Sequence, residues 1–249
     1  MAKLQLDPAT LNAMRQLLQG KNRKWATPGD MAQHLDPDTI QTPALRLIDQ
    51  TLIDTTNTTD GRAIITLPPQ EGKSQRVSRR YPLWTLTHNP NTRIAIVSYS
   101  HAVARRWGRT IRDDITTHPD LGLTIRPDLS AQHEWQLAGA QGGVYTTGIG
   151  GSLTGRPVDL LIIDDPIKDR EQADSTIYRN RVWDWWTDVA STRLAPGAPV
   201  ILILTRWHQD DLAGRLLNAP DGHRWKLLNI PAQAETNNDP LGRKPGQWL

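Results

Sequence analysis

The sequence contains no cysteine and no phenylalanine, and its 249 residues carry a formal net charge of only +3. Without cysteine, the chain has neither a disulfide framework nor a thiolate metal site. No apolar run approaches the length of about eighteen residues that a membrane-spanning helix needs, so we expect no contact with a membrane. The first residues lack the apolar segment and the small-residue cleavage site of a signal peptide, which predicts a protein that stays inside the cell.

The composition that is present suits one large α/β domain with a small helical attachment, since 37% of the 249 residues are hydrophobic. The sequence pI of about 9.3 is compatible with a polyanionic partner but does not identify one. Arginine supplies most of the positive charge. The pairs Arg79–Arg80 and Arg105–Arg106 are candidates for phosphate contacts, with solvated helix faces as the alternative.

Two helices are predicted in the first part of the chain. Asp7 and Pro8 suit the N-cap and first position of a helix that continues to Leu18. Thr42 and Pro43 open a second helix in the same way, after a polar stretch with weak periodicity over residues 21–37. We therefore expect a helical N-terminal segment over residues 1–55.

Strand and helix patterns alternate from residue 63 onward. Runs at 158–163 and 200–204 are continuously apolar, which is typical of strands buried on both faces of a parallel sheet. Further elements are a first strand at 63–67, a strand at 93–99, a helix at 101–115, a hairpin at 134–137 and 144–147, a Trp-rich helix at 171–194 and a last strand at 224–230. This alternation predicts a doubly wound α/β core over residues 56–232, followed by a linker over residues 233–249.

A candidate phosphate-binding loop, Leu-Pro-Pro-Gln-Glu-Gly-Lys-Ser, runs from Leu67 to Ser74 directly between a predicted strand and a predicted helix. Backbone N–H groups in such a loop bind phosphates, the lysine reaches the β- and γ-phosphates, and the serine hydroxyl ligates Mg²⁺. Leu67 replaces the first glycine of the usual pattern, so an ordinary strand-to-helix turn is the alternative. The residues expected to bind the nucleotide are Gln70, Glu71, Gly72, Lys73, Ser74 and Gln75.

Two carboxylates, Asp164 and Asp165, follow the apolar run Leu160–Ile163. Ligands bind at the carboxyl ends of strands in open α/β sheets, and successive strand residues point to opposite faces. We therefore expect different roles, with Asp164 holding Mg²⁺ and Asp165 orienting or deprotonating the attacking water. The alternative for Asp165 is an N-cap of the next helix.

Thr205 is a polar residue at the end of a third predicted strand, directly after the apolar run Val200–Leu204. A hydroxyl at this place is within possible reach of a γ-phosphate and suits a sensor that couples the nucleotide to the following helix. The alternative is a cap on a helix that begins near Gln209. Together, the lysine loop, the acidic strand end and this residue predict an ATP-hydrolysing P-loop protein.

These segments resemble, in order, the ATPase domain of tailed-phage terminase large subunits. The matching stretches are 67–74, 97–101, 155–168 and 204–208, and residues 239–246 resemble that family's connection to its nuclease domain. The resemblance implies a three-layer, additional-strand, RecA-like P-loop fold. It also implies an ATPase that uses ATP and Mg²⁺ to move double-stranded DNA into a procapsid in the host cytoplasm.

The partners that the resemblance implies are the phage portal protein, the terminase small subunit and further copies of the chain in a ring of five, with a monomer in solution as an alternative. By the same resemblance, Asp165 is the catalytic acid and Thr205 belongs to the coupling motif. That family frequently has Glu where Asp165 stands, so the water must lie closer or the loop must shift. It also often has a basic residue where Gln70 or Glu71 stands, which weakens the assignment of an arginine acting in its own subunit.

Arg156 is the candidate for a positive charge that a ring ATPase supplies to the neighbouring subunit, with a structural salt bridge or a DNA phosphate contact as alternatives. It ends the glycine-rich stretch 148–156, which we expect to be a flexible loop. Gln33 or Gln41 is the candidate for reading the adenine edge, although a surface glutamine is the commoner explanation. For the tryptophans at 183–186, packing against the sheet is a better interpretation than base stacking.

Two other functions share the nucleotide site. One is a helicase or translocase of another P-loop family, although the commonest helicases carry a second ATPase-like domain in the same chain. The other is a nucleotide-binding assembly protein that does not hydrolyse ATP, which has no need for a water-activating acid such as Asp165. In terminases a nuclease domain follows the ATPase, and we expect no nuclease activity from residues 1–249.

Overall fold

The computed structural model describes residues 24–153 and 155–249. The helix predicted from Pro8 to Leu18 lies outside these ranges. Within them, no helix combines the length and the apolar character that crossing a membrane requires.

One eight-stranded sheet forms the centre of the molecule, in the order β3-β4-β5-β2-β6-β7-β1-β8. Six neighbouring strands run parallel to one another, namely β5, β2, β6, β7, β1 and β8. The hairpin of β3 and β4 extends the sheet beyond β5, and its strands pair in antiparallel fashion. The mainly parallel sheet and the antiparallel pair β4–β5 confirm the predicted architecture. The strands are β1 (Arg62–Thr66), β2 (Arg93–Ser98), β3 (Ile125–Ser130), β4 (Glu134–Leu137), β5 (Gly143–Gly148), β6 (Leu160–Asp164), β7 (Val200–Leu204) and β8 (Trp225–Asn229).

Helices cover both faces of the sheet, which gives the predicted three layers. One core contains Met31, Ile48, Leu83 and Ile111 from the first four helices, and the other contains Val182 and Leu212. β6 and β7 are buried at every position because they lie between these two cores. The α-helices are α1 (Pro28–Leu35), α2 (Pro43–Asn57), α3 (Tyr81–His88), α4 (His101–Thr117), α5 (Arg170–Asp174), α6 (Thr176–Asp184) and α7 (Leu212–Asn218).

Helix α1 lies within the polar stretch for which no helix was predicted. Its N-terminus is a capping box, in which the Thr27 side chain accepts from the Asp30 N–H and the Asp30 side chain accepts from the Thr27 N–H. Pro28 occupies the first helical position. These local signals define the helix start where the apolar periodicity is weak.

The Trp-rich segment predicted as a helix over residues 171–194 is helical in the structure, with a break at Ser175 and two changes of helix type. The segment is divided into α5, α6, a π-helical turn at Trp185–Ala190 and a 3₁₀ turn at Ser191–Arg193. The division at Ser175 separates α5 from α6, and the widened turn begins at two buried tryptophans, Trp185 and Trp186. Their burial confirms the packing interpretation over base stacking.

The last residues, predicted as a linker, form a compact series of turns in the structure. Asp239 accepts hydrogen bonds from the Arg243 guanidinium, which also donates to the carbonyls of Pro231 and Ala232. An isolated bridge joins Gln233 to Trp248. These contacts return the segment to the end of β8.

Candidate functional site

The loop Leu67–Ser74 follows β1 at the carboxyl edge of the sheet, as its sequence predicts. Gly72 has φ of 76°, a left-handed conformation that glycine adopts without strain. Gln70 also has a positive φ, of 68°. A Cβ atom at Gly72 would lie 3.7 Å from the Leu45 side chain, so α2 covers the outer side of the loop.

The helix after the loop begins with a π-helical turn, Gln75–Arg80, and continues as α3. Pro82 stands just beyond the widened turn and has no N–H to donate to it, which accounts for the local departure from α-helical bonding. Val77 and Ser78 in this turn are fully buried against the sheet. The turn therefore carries the loop directly into the core.

Lys73, in the loop after β1, contacts polar residues at the ends of two other strands. Lys73 is 6% exposed, and its ammonium group lies 2.9 Å from the Thr205 hydroxyl and 3.3 Å from Oδ2 of Asp165. These groups come from the ends of β1, β6 and β7, which are adjacent in the sheet. The structure thus brings together Lys73, Asp165 and Thr205, as expected for one phosphate-binding group.

The two aspartates contact different partners, and their separate roles stay a prediction. Asp164 accepts from the Ser74 hydroxyl at 2.9 Å and from the Ser78 hydroxyl at 2.8 Å. Burial, with the neighbouring Asp165 charge as a smaller contribution, raises the pKa of Asp164 to about 6. Ser78 was not identified from the sequence, although its place four residues after Ser74 puts both hydroxyls on one helix face.

Asp165 adopts a left-handed backbone with φ of 44°, which Asp tolerates better than most residues. Its Oδ1 accepts from the Thr205 N–H at 2.8 Å, while Oδ2 contacts Lys73. The capping alternatives are wrong for both residues. Asp169 caps α5 and Asp211 caps α7, so neither Asp165 nor Thr205 is needed as an N-cap.

Gln41 does not present a free amide, contrary to what a base-reading role requires. Its Nε2 donates to Asp49 at 2.8 Å and its Oε1 accepts from Arg76 at 2.6 Å. Arg76 also forms an ion pair with Asp49, and both charged side chains are buried. Gln33 is exposed on α1. The Gln41 amide is therefore committed to a network that ties the helix after the loop to α2.

Arg156 lies away from the phosphate-binding group of its own chain. It forms a two-point ion pair with Glu134, at 3.1 and 3.0 Å, and its guanidinium lies 4.3 Å from the Tyr145 ring centre. Glu134 is on β4, five strand positions from β1, which is about 24 Å at the usual strand spacing. The contacts that Arg156 makes are thus with Glu134 and Tyr145 rather than with Lys73, Asp165 or Thr205, and its action on a neighbouring subunit stays a prediction. Thr154, within the loop predicted to be flexible, is outside the described residues.

The donor set fits a magnesium nucleotide. Ser74 and Asp164 place a hydroxyl and a carboxylate oxygen 2.9 Å apart, and Mg²⁺ prefers such hard oxygen ligands. Lys73 adds a buried positive charge beside them. The arrangement can bind a phosphate chain, hold a divalent cation and place a carboxylate next to the terminal phosphate.

Comparison with known proteins agrees with this fold. Residues 64–248 match the family described as the terminase large subunit, T4likevirus-type, N-terminal. No curated protein sequence matches the chain at a significant level. The family match spans the loop, the acidic strand end and the Thr205 strand end.

The structure is similar to the large terminase ATPase domain of Thermus phage P74-26, with a TM-score of 0.52 and 13% identity over 84% of this chain and 87% of that chain. An arginine-to-alanine variant of that domain matches with the same score and identity, over 83% and 87%. The HK97 bacteriophage large terminase also matches with a TM-score of 0.52 and 15% identity over 81% of this chain, which spans 41% of that protein. These similarities confirm the predicted RecA-like α/β fold.

Proposed function

The chain belongs to the terminase large subunit family, and we propose that it hydrolyses ATP to drive double-stranded DNA into a phage procapsid. The observation that carries this proposal is the convergence of Lys73, Asp165 and Thr205 beside the Ser74–Asp164 pair. Each strand end supplies one of the parts that phosphoryl transfer needs: a phosphate ligand, a carboxylate and a sensing hydroxyl.

In the proposed reaction, backbone N–H groups of Gly72, Lys73 and Ser74 bind the phosphate chain, with Gln70, Glu71 and Gln75 around it. The Lys73 ammonium lies between Asp165 and Thr205, so a γ-phosphate bound by Lys73 is adjacent to both. Asp165 then orients the attacking water and accepts its proton. The Thr205 hydroxyl contacts the γ-phosphate and changes partner when that phosphate leaves.

Ser74 and Asp164 are the residues that would hold Mg²⁺. When bound, the ion neutralises charge on the phosphate oxygens. Asp164 must be ionised to serve as a ligand, and its two serine hydrogen bonds orient the carboxylate for this role.

We further propose that the motor works as a ring, five copies by family resemblance, docked on the portal with the small subunit in the host cytoplasm. Arg156 then supplies positive charge to the site of the adjacent copy. Its contacts with Glu134 and Tyr145, away from Lys73, and its side-chain exposure of 40% suit contact with another chain.

Phosphate release from ATP tests the enzymatic part of the proposal. Asp165→Ala removes the water-orienting carboxylate, so we expect turnover to fall by about 10²–10⁴-fold. Asp188→Ala, at an exposed site away from the loop, is the matched control and should keep wild-type turnover. Equal turnover in wild type and Asp165→Ala would contradict the proposal and favour an assembly protein that does not hydrolyse ATP.

Mixing two inactive variants tests the role of Arg156. In an Arg156→Ala and Asp165→Ala mixture, some sites combine an intact carboxylate with an intact arginine from the neighbour. We therefore expect hydrolysis to recover in the mixture. No recovery at any ratio would contradict action between subunits.

A further inference from the structure

Helix α4 carries a concentrated positive charge that the nucleotide site does not use. Its segment from His101 to Arg112 contains four arginines and no acidic residue. Arg105, Arg106 and Arg109, called here the basic stripe, are all exposed. The rest of the chain is close to neutral, so this stretch is a local feature rather than a reflection of overall charge.

The rotation of α4 is fixed by close packing on its other face. Trp107 and Ile111 are buried in the core, and the Trp135 indole donates to the Gly108 carbonyl at 2.9 Å. A Cβ atom at Gly108 would lie 2.6 Å from the Gln132 carbonyl oxygen, so the helix approaches the sheet there as closely as glycine permits. The basic stripe is thus held facing solvent by the fold.

The basic stripe lacks internal charge partners. Within the parts of the chain that the structure describes, the side chains of the basic stripe form no hydrogen bond or ion pair, and the Arg106 guanidinium lies over the neighbouring Trp107 ring. Arginines around it are paired instead, since Arg79 binds Asp114 and Arg112 binds Asp113. No acidic residue in the described ranges 24–153 and 155–249 pairs with these three guanidinium groups, which suits the binding of an external polyanion.

The spacing of these groups suits a phosphate backbone. Arg105 and Arg109 lie one turn apart, about 6 Å along the helix at 1.5 Å per residue, and Arg106 lies beside Arg105. One DNA strand presents a phosphate every 3.4 Å along the helix axis, so these groups can reach neighbouring phosphates of one strand.

The helix is also joined to the catalytic carboxylate. The Tyr99 N–H donates to the Asp165 carbonyl at 3.2 Å, and Ser100, the next residue, is the N-cap of α4. Strand β2, which leads into α4, pairs with β6 so that Ser98 is level with Asp164. The acidic strand end and the segment that starts α4 are therefore in direct contact.

We propose that the basic stripe binds the phosphate backbone of double-stranded DNA without reading its sequence. This inference rests on the proposed DNA-moving function and adds the surface that contacts the DNA. The guanidinium groups bind phosphates and release counterions, so the binding is strongly dependent on salt.

The test is equilibrium binding of the full chain to two DNA duplexes of unrelated sequence, between 50 and 200 mM salt. Replacing Arg105, Arg106 and Arg109 by Ala should reduce the salt slope by about 2.7, at about 0.9 per lost phosphate contact. Over this fourfold salt range, wild-type affinity should therefore fall about 40-fold more than that of the variant. The result should be the same for both duplexes.

Two further variants control this measurement. The charge-matched control replaces three exposed, acid-paired residues, Arg170, Arg224 and Lys226, by Ala and should keep the wild-type slope. Replacing the basic stripe by Lys keeps the charges and should restore most of the binding, which separates lost contacts from a damaged helix.

An unchanged slope in the Ala variant would overturn the proposal, as would a wild-type chain that binds no duplex. Loss of binding to polyglutamate with DNA binding intact would also overturn it, by assigning the surface to an acidic protein. Phosphate release without DNA should stay at the wild-type rate in the Ala variant. That readout separates failure of the basic stripe from failure of the ATPase proposal.

Discussion

The ion pair between Asp49 and Arg76 connects α2 to the turn that follows the phosphate-binding loop. The two residues are 2% and 3% exposed, and Oδ1 of Asp49 has no hydrogen-bond partner among the described residues 24–153 and 155–249. Burial raises the pKa of Asp49, and the Arg76 charge opposes this. Asp49→Ala leaves the guanidinium buried without a counter-charge, so we expect a loss of about 3–5 kcal/mol in the free energy of unfolding.

Urea denaturation of Asp49→Ala measures this loss. The control is Asp54→Ala, because Asp54 lies on the same helix and pairs with Lys226 at 3.2 Å between side chains that are 45% and 58% exposed. An exposed pair contributes at most about 1 kcal/mol, so the control should unfold close to wild type. Replacing Asp49 by Leu and Arg76 by Met together removes both charges and should recover most of the stability.

A loss below about 1 kcal/mol in Asp49→Ala would refute this reasoning, since a charge stranded in the core costs more than that. A double variant no more stable than the single one would also refute it. In that case the destabilisation would come from lost packing rather than from the unpaired guanidinium.

The remaining predictions concern the site, the core and the sheet. Thr205→Val should lower turnover by about 10- to 100-fold in a phosphate-release assay while Thr205→Ser keeps it, because only the hydroxyl binds charged partners. Burial raises the pKa of Tyr81 from 10.0 to about 12 in the folded state. The free energy of unfolding should therefore be highest below pH 10 and should fall between pH 10 and 12, where only the unfolded chain has an ionised Tyr81. Tyr81→Phe should abolish this alkaline loss of stability, which amounts to about 3 kcal/mol, and an unchanged pH profile in denaturation curves would contradict this. Gly108→Ala should destabilise the fold by about 1–3 kcal/mol, because its methyl group would meet the Gln132 carbonyl at 2.6 Å; a neutral effect on the melting temperature would be inconsistent with the packing.

Strong local patterns were sufficient to predict the centre of the fold and the chemistry at its edge. The buried runs in β6 and β7 define adjacent parallel strands, and this adjacency alone brings Asp165 and Thr205 together. Lys73 joins them because β1 pairs with β7. Residues at strand ends were predictable because parallel strands end at one edge of the sheet.

Features that depend on distant contacts were not predictable in the same way. The Asp49–Arg76 pair joins residues that are 27 positions apart in the sequence. No sequence pattern near Gln41 indicates that its amide forms hydrogen bonds with this pair. The π-helical turn in the Trp-rich segment begins at Trp185 and Trp186, which are buried in a core formed by distant parts of the chain. The positive φ of Asp165 likewise reflects the turn required to reach Lys73 and Thr205.

The most direct measurement is a crystal structure of the chain with Mg²⁺ and an ATP analogue that resists hydrolysis. We expect the phosphates on the backbone N–H groups of residues 72–74, the metal at Ser74 and Asp164, and the terminal phosphate beside Asp165 and Thr205. Phosphates bound at any other place on the molecule, with these side chains unengaged, would contradict the proposed ATPase site.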